Sequence, residues 1–234
     1  MRLTQLFFFC FLSSFCVGQS ITGAELLDRA INYHDPDGKW STFQGDLRVT
    51  MNTPGKSDRV TDFNINLPAE SFEITSVRDS ITIYQMMNSE GCQYTLNGET
   101  NISDEDKETH RLNCDRTQMW RDYYTYLYGL PMKLKDPGTI IDPIVQEREF
   151  QGKTYKVLKV NYEQAVGKDT WYFYFDPITY KMEVYQFFKV EANNDGEYIL
   201  LTGEETISGI KMPKTRAWYY NESDKYLGTD VLGR

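Results

Sequence analysis

The sequence predicts an α+β protein, mostly antiparallel β-structure with helices packed on it. Three observations carry this. Tyr, Phe and Trp make up 15% of the 234 residues, and aromatic side chains, like β-branched ones, favour strands. Long stretches alternate apolar and polar residues, the pattern of strands with one buried and one wet face. Two further segments instead repeat their apolar residues at helical spacing.

Met1 to Gln19 reads as a secretory signal: Arg2, then a short apolar run from Leu6 to Leu12, then small residues around Gly18. The run is too short for a spanning helix, which needs about 20 apolar residues. Phe precedes both Cys10 and Cys16, where a lipid-anchored protein carries a small residue. Residues 20–234 then suit one domain, with no internal repeat or low-complexity linker. Cys92 and Cys114 survive cleavage. In an oxidising compartment they form a plausible structural disulfide, free buried thiols being the alternative.

After the leader, Thr22 and Glu25 form a capping box, and Leu26, Leu27, Ala30, Ile31 and His34 give a helix one apolar stripe. Asp35-Pro36-Asp37-Gly38 ends it. From Trp40 to Leu96 the period is two: Leu47, Val49 and Met51 alternate with polar residues, as do Phe63, Ile65 and Leu67. Ser103 and Asp106 open a second helical region with an apolar face of Leu112, Trp120, Tyr123, Tyr124 and Leu127. Gly129 and Pro131 close it, and the stretch from Gly129 to Gly138 reads as a loop or lid. Strands then continue to the end through turns at Asp176-Pro177, Asn193 to Gly196 and Ser208-Gly209. The pattern gives about ten or eleven strands.

A net charge of −9 with scattered Lys and Arg excludes nucleic acid and opposes anionic headgroups, since both need basic patches. No nucleophile motif, phosphate loop or histidine-rich metal site occurs, so no cofactor and no metal is expected. His34 with Asp35 is the densest polar cluster. It admits a catalytic pair, but a helix end with turn chemistry explains it more simply. Asn101-Ile102-Ser103 and Asn221-Glu222-Ser223 are short sequons that chance produces easily.

Trp171, Phe173 and Phe175 share one face of a strand by alternation, and Met182, Val184 and Phe188 share a face of the next. These side chains either form the core between sheet and helices or line a cavity for an apolar ligand. In the second case Trp171, Phe173, Phe175, Val184, Phe188, Leu47 and Val49 are the lining.

The order of elements resembles the LolA/LolB-like lipoprotein-carrier fold. Three segments are similar to an uncharacterised family of exported bacterial proteins associated with that fold: Tyr33 to Trp40, Gly129 to Leu134, and Asp169 to Pro177. The resemblance implies a curved, open half-barrel with helices on its concave side, in a periplasmic or secreted protein whose concavity shelters a lipid, a lipoprotein acyl chain or another hydrophobic ligand. It implies binding rather than catalysis and supplies no site residues. An envelope interaction module without ligand is the alternative, and a hydrolase using His34 a more distant one. Oligomeric state is not legible.

Overall fold

The computed structural model describes residues 21–233; the expected leader lies outside them. The first helix, α1 (Gly23–His34), begins at the expected capping box: the Thr22 side chain accepts from the Glu25 N–H at 3.2 Å, and Glu25 accepts from the Thr22 N–H at 2.7 Å. Leu26, Leu27 and Ala30 are fully buried, so the sequence stripe is the packed face. A meander of five antiparallel strands follows: β1 (Gln44–Asn52), β2 (Arg59–Asn66), β3 (Ser71–Arg78), β4 (Ile81–Asn88) and β5 (Gly91–Leu96).

The second helical region is two helices, α2 (Asp104–His110) and α3 (Cys114–Gly129). The break falls at Arg111, whose φ of 54° is left-handed and incompatible with continuing a helix. Asn113 then caps α3. The segment from Gly129 to Gly138 is no free flap. It contains a 3-10 turn, Met132–Lys135, and Leu130, Met132 and Leu134 are buried in the main core.

The remaining strands are β6 (Thr139–Ile141), β7 (Gln146–Phe150), β8 (Lys153–Tyr162), β9 (Thr170–Phe175), β10 (Met182–Phe188), β11 (Glu197–Thr202), β12 (Glu205–Ile207), β13 (Ile210–Met212), β14 (Thr215–Tyr220) and β15 (Tyr226–Gly233). The total exceeds the ten or eleven expected in large part because β6, β12 and β13 have only three residues each, too few to show a period. Thirteen strands form one antiparallel sheet in the order β5-β4-β3-β2-β1-β15-β14-β11-β10-β9-β8-β6, with β7 also on β8. Strand β15 closes the gap between the two meanders by pairing with both β1 and β14. The Asp176-Pro177 turn between β9 and β10 is built as its residues suggest: Asp176 Oδ1 accepts from the N–H groups of Ile178 and Thr179, and Oδ2 pairs with Lys153 at 2.7 Å.

The sheet is open, because β5 and β6 do not meet, and it is curved. Strands β2 and β9 are six inter-strand steps apart, about 29 Å if the sheet were flat. Yet α3 touches both: Tyr124 stacks on Phe63 at 4.3 Å between ring centroids, and Tyr126 meets Trp171 at 5.9 Å. A helix about 10 Å across can do this only if the sheet bends around it. The fold is therefore the open half-barrel, with α3 lying in its concavity. The inner face carries the main core (Leu47, Val49, Phe63, Ile65, Phe72 and Ile74 on one arm; Leu158, Val160, Phe173 and Phe175 on the other).

Two devices hold α3 there. The disulfide between Cys92 and Cys114 ties its first turn to edge strand β5. At the other end, Arg216, which is 1% exposed, donates to the carbonyl oxygen of Leu127 at 3.3 Å and to that of Pro213 at 3.2 Å. Its guanidinium also sits 4.1 Å from the centroid of the Tyr128 ring. The last carbonyls of a helix lack intrahelical partners and carry partial negative charge, so a buried arginine satisfies both needs.

Replacing Cys92 and Cys114 together by serine is expected to lower the unfolding free energy by about 3 kcal/mol, read as a lower urea midpoint; an unchanged midpoint would mean the bridge constrains nothing. Arg216→Met is expected to cost about 3–5 kcal/mol, because it strands the facing Asp230 and the end of α3. Equilibrium unfolding measures this, and a loss under 1 kcal/mol would contradict the role assigned to the arginine.

Candidate ligand-binding site

Alternation along the strands decides what the concavity shows to α3. Trp171, Phe187, Glu197 and Tyr220 lie in one cross-strand row, and Phe173, Tyr185, Ile199, Trp218 and Gly228 in the next. Arg216, Asp230 and Met51 follow in a third. Above them α3 presents Tyr123, Tyr126 and Leu127. Helix and sheet do not meet everywhere. Between them remains a cavity of about 520 Å³ lined by Met51, Tyr123, Tyr126, Leu127, Asp169, Trp171, Phe187, Glu197, Trp218, Leu227, Gly228 and Asp230. Its size falls in the range of small-molecule sites, and so does its mix of aromatic walls with a few polar groups.

The walls are preorganised. Trp171 stacks on Phe187 at 4.9 Å and lies edge-on to Tyr126. Tyr126 is fixed by a 2.5 Å hydrogen bond between its hydroxyl and that of Tyr162. The same Tyr126 borders a second space of about 670 Å³ toward β6, with a more polar lining that includes Arg121, Asp122, Lys133 and Asp136. Gly228, with φ of 155°, lets β15 approach the carbonyl oxygen of Asn52; a Cβ there would sit 2.6 Å from that oxygen.

The most buried polar group of the cavity, Asp230, is 7% exposed; it stands opposite Arg216 across β14 and β15, with Trp218 as its side-chain neighbour. Burial pushes the Asp230 pKa up, against the pull of Arg216 and Arg59. Burial likewise raises Glu197, with Lys189 opposing it.

Of the residues expected to line a cavity, Trp171 borders this one. Phe173 and Phe175 lie on the same face but are fully buried beneath it, and Leu47 and Val49 are buried on the inner face of β1. Val184 and Phe188 face the other way. They join Tyr155, Val157, Tyr172 and Tyr174 in a separate cluster on the outer side of β8 to β10. The cause is a β-bulge between Met182 and Val184: one extra residue reverses the alternation, so Met182 points into the main core and does not share a face with Val184. Phe187, next in sequence to the residue expected, takes the inner position.

His34 and Asp35 are structural. His34 is 1% exposed; its Nδ1 donates to the carbonyl of Lys211 at 2.7 Å, and its Nε2 accepts from the N–H of Met182 at 3.0 Å. With both nitrogens engaged it has none left for a substrate proton. It caps no helix as a cation either, since burial pushes its pKa down to about 4. Both carboxylate oxygens of Asp35 accept turn N–H groups, from Lys39 and Trp40. No helix among the described residues is long and apolar enough to cross a membrane.

His34 leads to a pH dependence. The unfolded chain protonates near pH 6.5 and the folded one only near pH 4, so this contribution to stability is complete above pH 6.5 and declines as the pH falls toward 4, by about 3 kcal/mol in all. Unfolding curves at pH 8 and pH 5 for wild type and His34→Gln measure it. The variant is expected to be less stable at pH 8, with a clearly smaller loss on acidification; equal losses in both proteins would refute the assignment.

Residues 2–232 match the family of unknown function DUF6503. No curated protein matches in sequence. Among solved structures, the chain is similar to a LolA superfamily protein from Nitrosomonas europaea, with a TM-score of 0.53, 10% identity, and 92% and 93% of the two chains covered. It is also similar to a DUF1329 family protein from Desulfovibrio piger, with a TM-score of 0.51, 9% identity, and 92% of each chain covered. At such identities the likeness establishes the fold alone, which is LolA-like.

Proposed function

We propose that this chain, which belongs to the family of unknown function DUF6503, is an exported binding or carrier protein that holds the apolar part of a lipid, lipoprotein acyl chain or other hydrophobic ligand beneath α3. The observation that supports this best is the cavity. A helix already occupies the concavity, yet about 520 Å³ beside it stays unfilled and is walled by Trp171, Trp218, Phe187, Tyr123, Tyr126, Leu127 and Met51. A concave space of that size with aromatic walls and a few polar groups is the usual form of a small-molecule site.

Three further points fit. The LolA-like fold is shared with a LolA superfamily protein. The Cys92–Cys114 disulfide suits an oxidising compartment, as does the leader expected over residues 1–19, and the two together support a periplasmic or secreted location. Binding rather than catalysis is favoured because both nitrogens of His34 serve the backbone. The ligand contacts proposed are Trp171, Phe187, Trp218, Tyr126 and Leu127.

Two of the four tryptophans line the cavity, which provides the test. Titration with a fatty acid brominated along its chain is expected to quench tryptophan emission saturably, and Trp171→Phe and Trp218→Phe should each remove a large part of the quenching. Saturable quenching that survives in the double variant would place the ligand elsewhere, and no quenching at all would sink the reading.

A further inference from the structure

Tyr126 belongs to two spaces at once. It lines the aromatic cavity of about 520 Å³ and also the space of about 670 Å³ toward β6, and no other described residue is common to the two linings. Its ring lies edge-on to Trp171, a wall of the first space. Its hydroxyl bonds at 2.5 Å to that of Tyr162, a wall of the second. One side chain on α3 therefore forms the boundary between them.

A tyrosine that bonds across from a helix to a sheet is most often packing, and this pair does seat α3 over β8 and β9. Three features go further. Neither tyrosine is fully buried; both stand at the margin of the main core, where a ring is less confined than one packed on every side. The bond joins two neutral hydroxyls, since burial pushes the Tyr162 pKa up to about 12 and raises that of Tyr126 as well; such a bond contributes far less than a charged pair. Finally, the second space is polar in part, but its walls include Leu67, Pro137 and Val166, and Val166 is 57% exposed. A hydrocarbon chain that passed Tyr126 would meet further apolar surface there.

We propose that Tyr126 sets the length of the straight hydrocarbon chain that the protein accepts. Held by Tyr162, its ring ends the aromatic cavity, so a chain is bound up to the ring and methylenes beyond it gain nothing. With the ring removed or released, the two spaces join into one longer trough that continues to Leu67, Pro137 and Val166. This rests on the reading of the aromatic cavity as a site for an apolar chain and adds the residue that selects among chains.

Displacement of a fluorescent fatty acid by saturated fatty acids from octanoate to stearate, each below its micelle concentration, tests this. In the wild type, affinity is expected to rise about fourfold per added methylene and then to level off. In Tyr126→Ala the rise should continue, making the ratio of stearate to octanoate affinity about tenfold larger than in wild type. Tyr162→Phe keeps the packing and removes only the bond; it should raise the same ratio about threefold or more with octanoate unchanged, and it decides the matter if the alanine variant does not fold. A plateau left in place by either folded variant, or an equal change at every chain length, would mean that Tyr126 is packing alone and overturns the proposal. A wild-type affinity that climbs to stearate without levelling overturns it too, while leaving the apolar site intact. Failure of the labelled and all unlabelled fatty acids to bind removes the apolar site itself and the proposal with it.

Discussion

Arg216 is the constraint from which the rest of the molecule is understood. A curved sheet with an apolar inner face must cover that face, and a single helix does most of the covering. Helix α3 ends inside the concavity, where water cannot reach its last carbonyls. A buried end needs a donor, and the guanidinium meets the carbonyl of Leu127 while lying against the Tyr128 ring. The cation in turn explains Asp230, which stands opposite Arg216 in the ladder between β14 and β15. Remove the arginine, and both the helix end and the carboxylate lose the charge that makes their burial tolerable.

Helix position then determines the cavity. Tyr124 and Tyr128 fill the side of the concavity beneath β2 and β3. On the opposite side Tyr126 reaches across, to Trp171 and Tyr162. The helix is therefore docked hard against one arm of the half-barrel and lightly against the other, and the open volume lies where docking is light. The disulfide acts on the firmly docked side as well, since Cys92 belongs to β5. An apolar chain entering beside Tyr126 would displace few side chains that the fold needs.

Much of this architecture was legible in the sequence. The capping box at Thr22, the alternation through Leu47, Val49, Phe63 and Ile65, and the Asp176-Pro177 turn are local chemistry, and local chemistry survives into the fold. The site was far less legible. Its composition depends on a bulge at Met182 that reverses which of Phe187 and Phe188 faces inward, and no residue type there announces an inserted position. Glu197, Asp230 and Arg216 read as ordinary strand residues, because an inward charge is recognisable only once its partner across the sheet is known. The role of His34 was hidden for the same reason: its partners, Lys211 and Met182, come from distant strands.

The most direct measurement is native mass spectrometry of the protein purified from its own host, before and after solvent extraction. An adduct of lipid mass that leaves on extraction, with the stripped protein taking up one equivalent again, is the result predicted for a chain that carries a ligand beside α3. A single ligand-free mass that stays unchanged after exposure to a panel of lipids would contradict it, and would mean that the space beside the helix is a packing defect rather than a site.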